Sequence, residues 1–265
     1  MQHKYASPIV LKYGGNAMSP GDPLLAEAVR LHRSGTPVVL VHGGGPEIDR
    51  WLAQRGVTTT RIDGLRVTDA QTLEVTEAVL CATINKRLVR ACTARGARAV
   101  GVSGEDGATL TAVRAYGSHG EDLGYVGDVS ACDPSLIALL LENGYLPVVA
   151  PLATAPDGSH AFNVNADLAA AAIAGALRAR AFILATNVAR VLRDPADPTS
   201  GIDTMTLAQA HEFLRSPACS GGMQPKLRAA IAAVESGAQR AYICEAGDST
   251  IERALDETAA TVISA

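Results

Sequence analysis

The chain has 265 residues, 48% of them apolar and 19% charged, with a net charge of −4. That balance excludes an intrinsically disordered chain and leaves room for a large core, as one big α/β domain or two lobes. No run of Lys and Arg stands out, which argues against a nucleic-acid backbone as partner.

Aromatic residues make up only 4% of the chain, so alanine and valine must build much of the core. The five cysteines, Cys81, Cys92, Cys132, Cys219 and Cys244, are odd in number and contain no CxxC pair. Reduced thiols in a cytoplasmic protein are the expectation, not a disulfide framework or a zinc site. The opening "MQHKYASPIV" lacks the apolar stretch of a signal peptide. The most apolar helical region, 166–184, carries Arg178 and Arg180 and makes a poor membrane span.

In chain order, the first apolar run is Pro8 to Leu11, ending in "KYGG", and a helical pattern follows over Pro23 to Arg33. A second run, Val38 to Val41, meets Gly43, Gly44 and Gly45, and a helix is expected to begin near Pro46. Strand, glycine turn and helix, twice over, predict a parallel sheet with helices on its faces. Apolar residues from Leu73 to Cys92 recur at helical spacing and predict one long helix from Asp69 to about Arg95. A strand at Val100 to Val102 leads to "SGEDG", and 108–130 reads as hairpins. A helix over Pro134 to Glu142 and a strand over 146–150 come next. After "FNVNAD", a helix is expected over 166–176 and a buried strand over 181–185. "RDPADPTSG", 193–201, has the composition of a mobile surface loop. Helices over 206–214 and 224–236, the strand "RAYIC", a short helix over 249–256 and a last strand over 260–264 complete the chain.

The glycine turns have two readings. They are tight βα turns, or they let an anion approach the unpaired N–H groups of a helix N-terminus. Neither is GxGxxG or GxxxxGK[ST], so the standard dinucleotide and P-loop assignments do not apply. Lys12, at the exit of a buried strand, is either solvated or set over a phosphate held by neighbouring amides. His42 reads as a packed histidine rather than a base. "SGEDG" reads equally as acidic site or turn.

"VLKYGGNAM", "VVLVHGGGPEID", "DGLRVTDAQTLEVTEAVL", "NKRLV", "NGYLPVVAPL", "FNVNADLAA" and "SGGMQPKLRAAIAAVESG" together resemble the amino acid kinase family, in order from residue 9 to about 240. They most resemble the branch that phosphorylates the side-chain carboxylate of N-acetyl-L-glutamate in arginine biosynthesis. The resemblance implies an open αβα sandwich with a mainly parallel central sheet and two lobes. Residues 1–178 would bind the acyl amino acid and carry a homodimer contact, and 179–265 would bind ATP. By the same resemblance Lys12 touches the transferring phosphoryl group, and Lys226 lies near the β- and γ-phosphates. Asp167 holds both lysines in place. Gly14, Gly15, Gly44 and Gly45 supply backbone donors, and Arg66 and Asn163 grip the substrate. No protein metal ligand is implied; Mg2+ would be held chiefly by ATP oxygens and water. The chemistry agrees, because phosphoryl transfer asks for positioning and charge stabilisation, and an ionised carboxylate nucleophile needs no general base.

Two segments depart from the family pattern. "TNVARV", 186–191, places Asn187 where an acid is usual and Arg190 where a glycine is usual; Thr186 and Asn187 adjoin the nucleotide in relatives. "TAATVISA" lacks the customary glycine before Thr261. Only about a dozen residues precede "KYGG", which implies no ring-forming N-terminal helix and no arginine feedback. The departures leave alternatives: another N-acyl or carrier-protein-bound acidic amino acid, or a catalytically silent ligand sensor.

Overall fold

The computed structural model describes residues 6–14 and 21–265. Gly15, one of the expected phosphate-site glycines, lies outside the described residues. Six neighbouring strands run parallel across the centre: Arg240–Glu245, Ala181–Thr186, Ile9–Tyr13, Val38–His42, Leu146–Ala150 and Ala99–Ser103. At one edge Ala260–Ser264 pairs antiparallel to Arg240–Glu245, and Thr204–Thr206 lies parallel to Ala260–Ser264. The mainly parallel sheet expected from the sequence is therefore present.

Side chains of a strand alternate between faces, and both faces of this sheet are covered. Val10, Val39 and Val41 pack with the helices Ser135–Glu142, Ala166–Ala176, Leu207–Leu214 and Met223–Glu235. Ile9, Leu11, Val38 and Leu40 pack with Pro23–Arg33, Gly45–Gln54 and Thr250–Leu255 on the other side. Two apolar faces explain why the strands read as continuous apolar runs rather than as alternating ones.

The long helix expected from Asp69 to about Arg95 is one helical run with a changed middle. It consists of Ala70–Glu77, a π-helical stretch Ala78–Ile84, and Asn85–Ala94, capped at its start by the Asp69 carboxylate on the Thr72 N–H. Where hairpins were expected in 108–130 there is one, Leu110–Tyr116 paired with Asp122–Cys132. It closes with Leu152–Thr154 and Ala161–Val164 into a four-stranded ring, which local patterning did not announce. In the loop 193–201, residues 193–199 are exposed and Ser200 and Gly201 are half-buried; it joins the short strands Val191–Leu192 and Gly201–Ile202. Among the described residues no helix is long and apolar enough to cross a membrane.

One helix pair fixes where Asp167 and Lys226 sit. The helices Ala166–Ala176 and Met223–Glu235 each lead into a strand of the parallel set, so both begin at the carboxyl edge of the sheet. They touch near their C-terminal ends. A Cβ on Gly175 would lie 2.4 Å from the Ser236 Cβ, and one on Gly237, whose φ is +120°, would lie 3.1 Å from the Gly175 carbonyl. At 1.5 Å per residue, Asp167 is about 12 Å back from this crossing and Lys226 about 15 Å. The two residues thus share one end of a parallel helix pair. Replacing Gly175 with alanine is expected to force these helices apart and to cost about 1–3 kcal/mol in a urea denaturation series. A midpoint equal to wild type would contradict the close packing.

Candidate functional site

A cavity of about 230 Å3 opens at the carboxyl edge of the sheet. The ends of Ile9–Tyr13 and Val38–His42 meet there with the N-termini of Gly45–Gln54 and Ala166–Ala176 and with the strand Ala161–Val164. Lys12, Gly44, Gly45, Arg66, Asn163 and Asp167 all line it, as does Arg61. Six of the expected site residues are therefore brought together, with three cations against one carboxylate among the described residues.

Lys12 alternates with its buried neighbours Leu11 and Tyr13, which face the opposite side of the sheet. Its ammonium lies 2.8 Å from Asp167 Oδ1, and the two side chains are 16% and 10% exposed. The approach is off the hydrogen-bond axis, so Oδ1 has a charge partner without an aligned donor. Asp167 sits in the first turn of its helix, where the dipole favours an acid. Asn165 caps that helix by accepting from the N–H groups of Asp167 and Leu168 at 2.8 and 3.3 Å. Gly14 leaves space for the lysine: a Cβ there would press to 3.0 Å from Lys12 Nζ.

The second glycine turn has an equally specific cause. A Cβ on Gly44 would fall 2.6 Å from Leu80 Cδ2 and 2.7 Å from Ile84 Cδ1, side chains of the π-helical stretch. The Gly43 N–H donates to the Tyr13 carbonyl at 3.0 Å, tying the two strand ends together. Gly44 and Gly45 donate to no partner among the described residues, and Pro46 has no N–H. Two free amide donors thus head a helix beside the cavity, as an anion site requires.

Arg66 is only 5% exposed. Its Nη1 donates to the Asp49 carboxylate and to Thr59 Oγ1, and its Nη2 donates to the Gly45 carbonyl at 3.2 Å. Nε and one N–H of Nη2 remain without a partner among the described residues, a pair suited to a carboxylate. Arg61 lies opposite Arg66 across the ribbon Arg61–Ile62 and Leu65–Arg66, and donates to the other Asp49 oxygen at 3.1 Å. Partial burial alone would raise the Asp49 carboxyl. The hydrogen bond and charge of Arg66, followed by those of Arg61, outweigh it and hold the group below the usual carboxylate range. The Asn163 Nδ2 donates to Thr68 Oγ1 at 3.2 Å. Asp49, Thr59, Arg61 and Thr68 were missed by sequence reasoning. The one usable signal was the Asp63–Gly64 hairpin turn, both residues at positive φ, which sets the two arginines face to face.

Other expected residues lie elsewhere. Lys226 does not line this cavity; its ammonium donates to the Gly222 carbonyl at 3.2 Å. Asp167 therefore holds Lys12 and not both lysines, because the Lys226 side chain folds back on the start of its own helix. Thr186 and Asn187 also lie outside the lining. Thr186 Oγ1 accepts from the Val188 N–H at 2.9 Å and closes a turn, while Asn187 is exposed. Arg190 makes a structural anchor, with Nη2 on the Thr258 carbonyl at 2.8 Å and Nε 3.0 Å from Asp203. "SGEDG" is a turn here: Asp106 accepts from the Ser103 N–H at 2.6 Å. It borders a separate cavity, where burial, then Glu77 and Asp106, push Glu105 up to about 6.

A profile described as the amino acid kinase family matches residues 7–245. The chain belongs to the amino acid kinase family. It is 38% identical over 244 residues to the acetylglutamate kinase of Syntrophomonas wolfei, covering 91% of this chain and 84% of that one. The acetylglutamate kinase of Caldanaerobacter subterraneus subsp. tengcongensis is 43% identical over 240 residues, covering 89% and 79%. Among solved structures, N-acetylglutamate synthase from Neisseria gonorrhoeae, complexed with coenzyme A and N-acetyl-glutamate, superposes with a TM-score of 0.80 at 24% identity; the match covers 98% of this chain and 60% of that one. Carbamate kinase from Giardia lamblia bound to AMP-PNP gives a TM-score of 0.70 at 17% identity, covering 98% of both. These two structural matches carry the fold, which is the one the family resemblance implied.

His42 is fully buried, with Nδ1 donating to the Gly43 carbonyl at 3.0 Å and Nε2 3.3 Å from Asn85 Nδ2. It is a packed histidine, as expected. Burial holds its imidazole down at about 4 against an ordinary 6.5. Below 6.5 the unfolded chain takes up a proton that the folded chain refuses. Stability is therefore expected to fall by about 3 kcal/mol as the pH drops from 6.5 to 4, and a His42→Gln variant should lose that part of the slope in denaturation experiments.

Proposed function

We propose that this chain is an acetylglutamate kinase, transferring the γ-phosphoryl group of ATP to the side-chain carboxylate of N-acetyl-L-glutamate. The observation that carries the proposal is the Lys12–Asp167 pair beside the free N–H groups of Gly44 and Gly45, with the open fork of Arg66 in the same cavity. Relatives near 40% identity bear that enzyme name over most of the chain, so another acyl or carrier-bound acceptor, or a silent sensor, is not favoured.

In this reading Arg66 clamps the substrate's α-carboxylate and Asn163 meets its amide. The side-chain carboxylate, already ionised near neutral pH, attacks the γ-phosphorus; the bond to the β–γ bridging oxygen breaks, and ADP leaves with its electrons. Lys12 and the glycine amides stabilise charge on the transferring group. Lys226 turns from the Gly222 carbonyl onto the β- and γ-phosphates when the nucleotide arrives. Gly14 leaves the Lys12 ammonium its working space. Residues 1–178 act as the acyl amino acid lobe and 179–265, with Thr186 and Asn187, as the nucleotide lobe. Asp167, the one carboxylate lining the cavity among the described residues, is engaged with Lys12. A Mg2+ ion would thus take phosphate oxygens and water as ligands, and would supply neutralisation of phosphate charge. A homodimer and a cytoplasmic location belong to the same proposal; a light-scattering mass of one chain would remove the dimer.

Lys12→Ala and Lys226→Ala are each expected to lower turnover by about 10²–10³-fold; Lys226→Ala should leave the melting temperature little changed, whereas Lys12→Ala strands the Asp167 carboxylate and should lower it. The readout is hydroxylamine trapping of the acyl phosphate. N-acetyl-L-glutamate should outperform N-acetylaspartate, N-acetylaminoadipate and free glutamate. Undiminished trapping in both variants would remove the mechanism.

A further inference from the structure

We infer that Thr68 is a positioning residue whose hydroxyl turns the carbonyl end of the Asn163 amide toward the cavity, so that the site selects an acceptor bearing an N–H beside its clamped carboxylate. This rests on reading the cavity as the acyl amino acid site. A threonine hydroxyl has one hydrogen and two lone pairs. Thr68 Oγ1 lies 2.8 Å from the Arg66 carbonyl, which can only accept, so its hydrogen is committed there. Asn163 approaches the same oxygen at 3.2 Å and must therefore donate to it. That fixes the orientation of an amide whose two ends are otherwise interchangeable. The NH2 group points to Thr68, and Oδ1 is left without a protein partner among the described residues, on a side chain that lines the cavity.

The threonine has no freedom to release the amide. It is fully buried, its N–H donates to the Leu123 carbonyl at 3.0 Å, and its carbonyl accepts from the Tyr125 N–H at 2.7 Å. Gly124, at φ +68°, permits that contact, because a Cβ there would fall 2.2 Å from the Thr68 carbonyl oxygen. One hydroxyl thus links the backbone of Arg66, which offers two N–H donors, to Asn163, which offers an acceptor. An acylated α-amino acid presents the complement, a carboxylate next to an amide N–H. An ester in place of the amide would set an oxygen lone pair against Oδ1.

The test compares N-acetyl-L-glutamate with its ester analogue, 2-acetoxyglutarate, in wild type, Thr68→Val and Thr68→Ser. Wild type is expected to prefer the amide in kcat/KM by at least about 10-fold, since an unpaired buried acceptor is costly. T68V should raise the KM for N-acetylglutamate by about 10-fold, leave the KM for ATP within about twofold, and lose most of the amide preference. T68S, which keeps the hydroxyl, should restore both. Equal use of amide and ester by the wild type, or a T68V enzyme with the preference intact, would overturn the inference while leaving the kinase reading in place. A wild type that neither turns over N-acetylglutamate nor binds it in calorimetry would overturn both. The wild-type comparison needs no variant, so it stands even if T68V fails to fold.

Discussion

Everything at the carboxyl edge of this sheet is organised around an ammonium and a carboxylate 2.8 Å apart, each largely removed from water. A charge in such surroundings must be paired, and losing one partner would strand the other. That requirement holds the end of the Ile9–Tyr13 strand against the start of the Ala166–Ala176 helix. It also accounts for the bare backbone nearby, since Gly14 clears the lysine head. The Asn165 cap and the helix dipole hold the aspartate from the other side.

A second electrostatic constraint shapes the arginine-lined end of the cavity. Arg61 and Arg66 face each other across a two-stranded ribbon, where like charges repel. Asp49 takes one from each side and converts a repulsive pair into a bridged triad. The bridge uses up Nη1 of Arg66 and so decides which edge of the guanidinium stays open. Thr68 performs the neutral counterpart of this task for Asn163. Charged and neutral networks meet at Arg66, whose guanidinium is held by Asp49 and whose carbonyl is held by Thr68.

The family motifs made both glycine turns, Lys12, Arg66, Asn163 and Asp167 legible, and all but Gly15 fall among the described residues. The parallel strands were legible for a different reason: a strand covered on both faces needs an unbroken apolar run, and Val38–Val41 or Ala181–Ala185 can hardly be anything else. The π-helical stretch was not legible, because it preserves helical spacing on either side and differs only in how Leu80 and Ile84 close over Gly44. The closure of the ring was hidden as well, since Leu152–Thr154 and Ala161–Val164 are short and find partners in a hairpin far earlier in the chain. Asp49 lies within the helix Gly45–Gln54, and Thr68 directly precedes the Asp69 cap. Nothing in their neighbours along the chain shows what they touch.

The sequence by itself determined the layered α/β architecture, the family and the chemical types gathered at one edge, because each follows from periodicity, turn residues or an ordered set of motifs. Only the tertiary structure decided which donors and acceptors are spent: Nη1 of Arg66 on Asp49 and Thr59, the Asn163 amide nitrogen on Thr68, and the Lys226 ammonium on the Gly222 carbonyl. Hydrogen-bond allegiance is set by atoms within about 3 Å in space, whatever their distance along the chain, and a one-dimensional pattern carries no record of it.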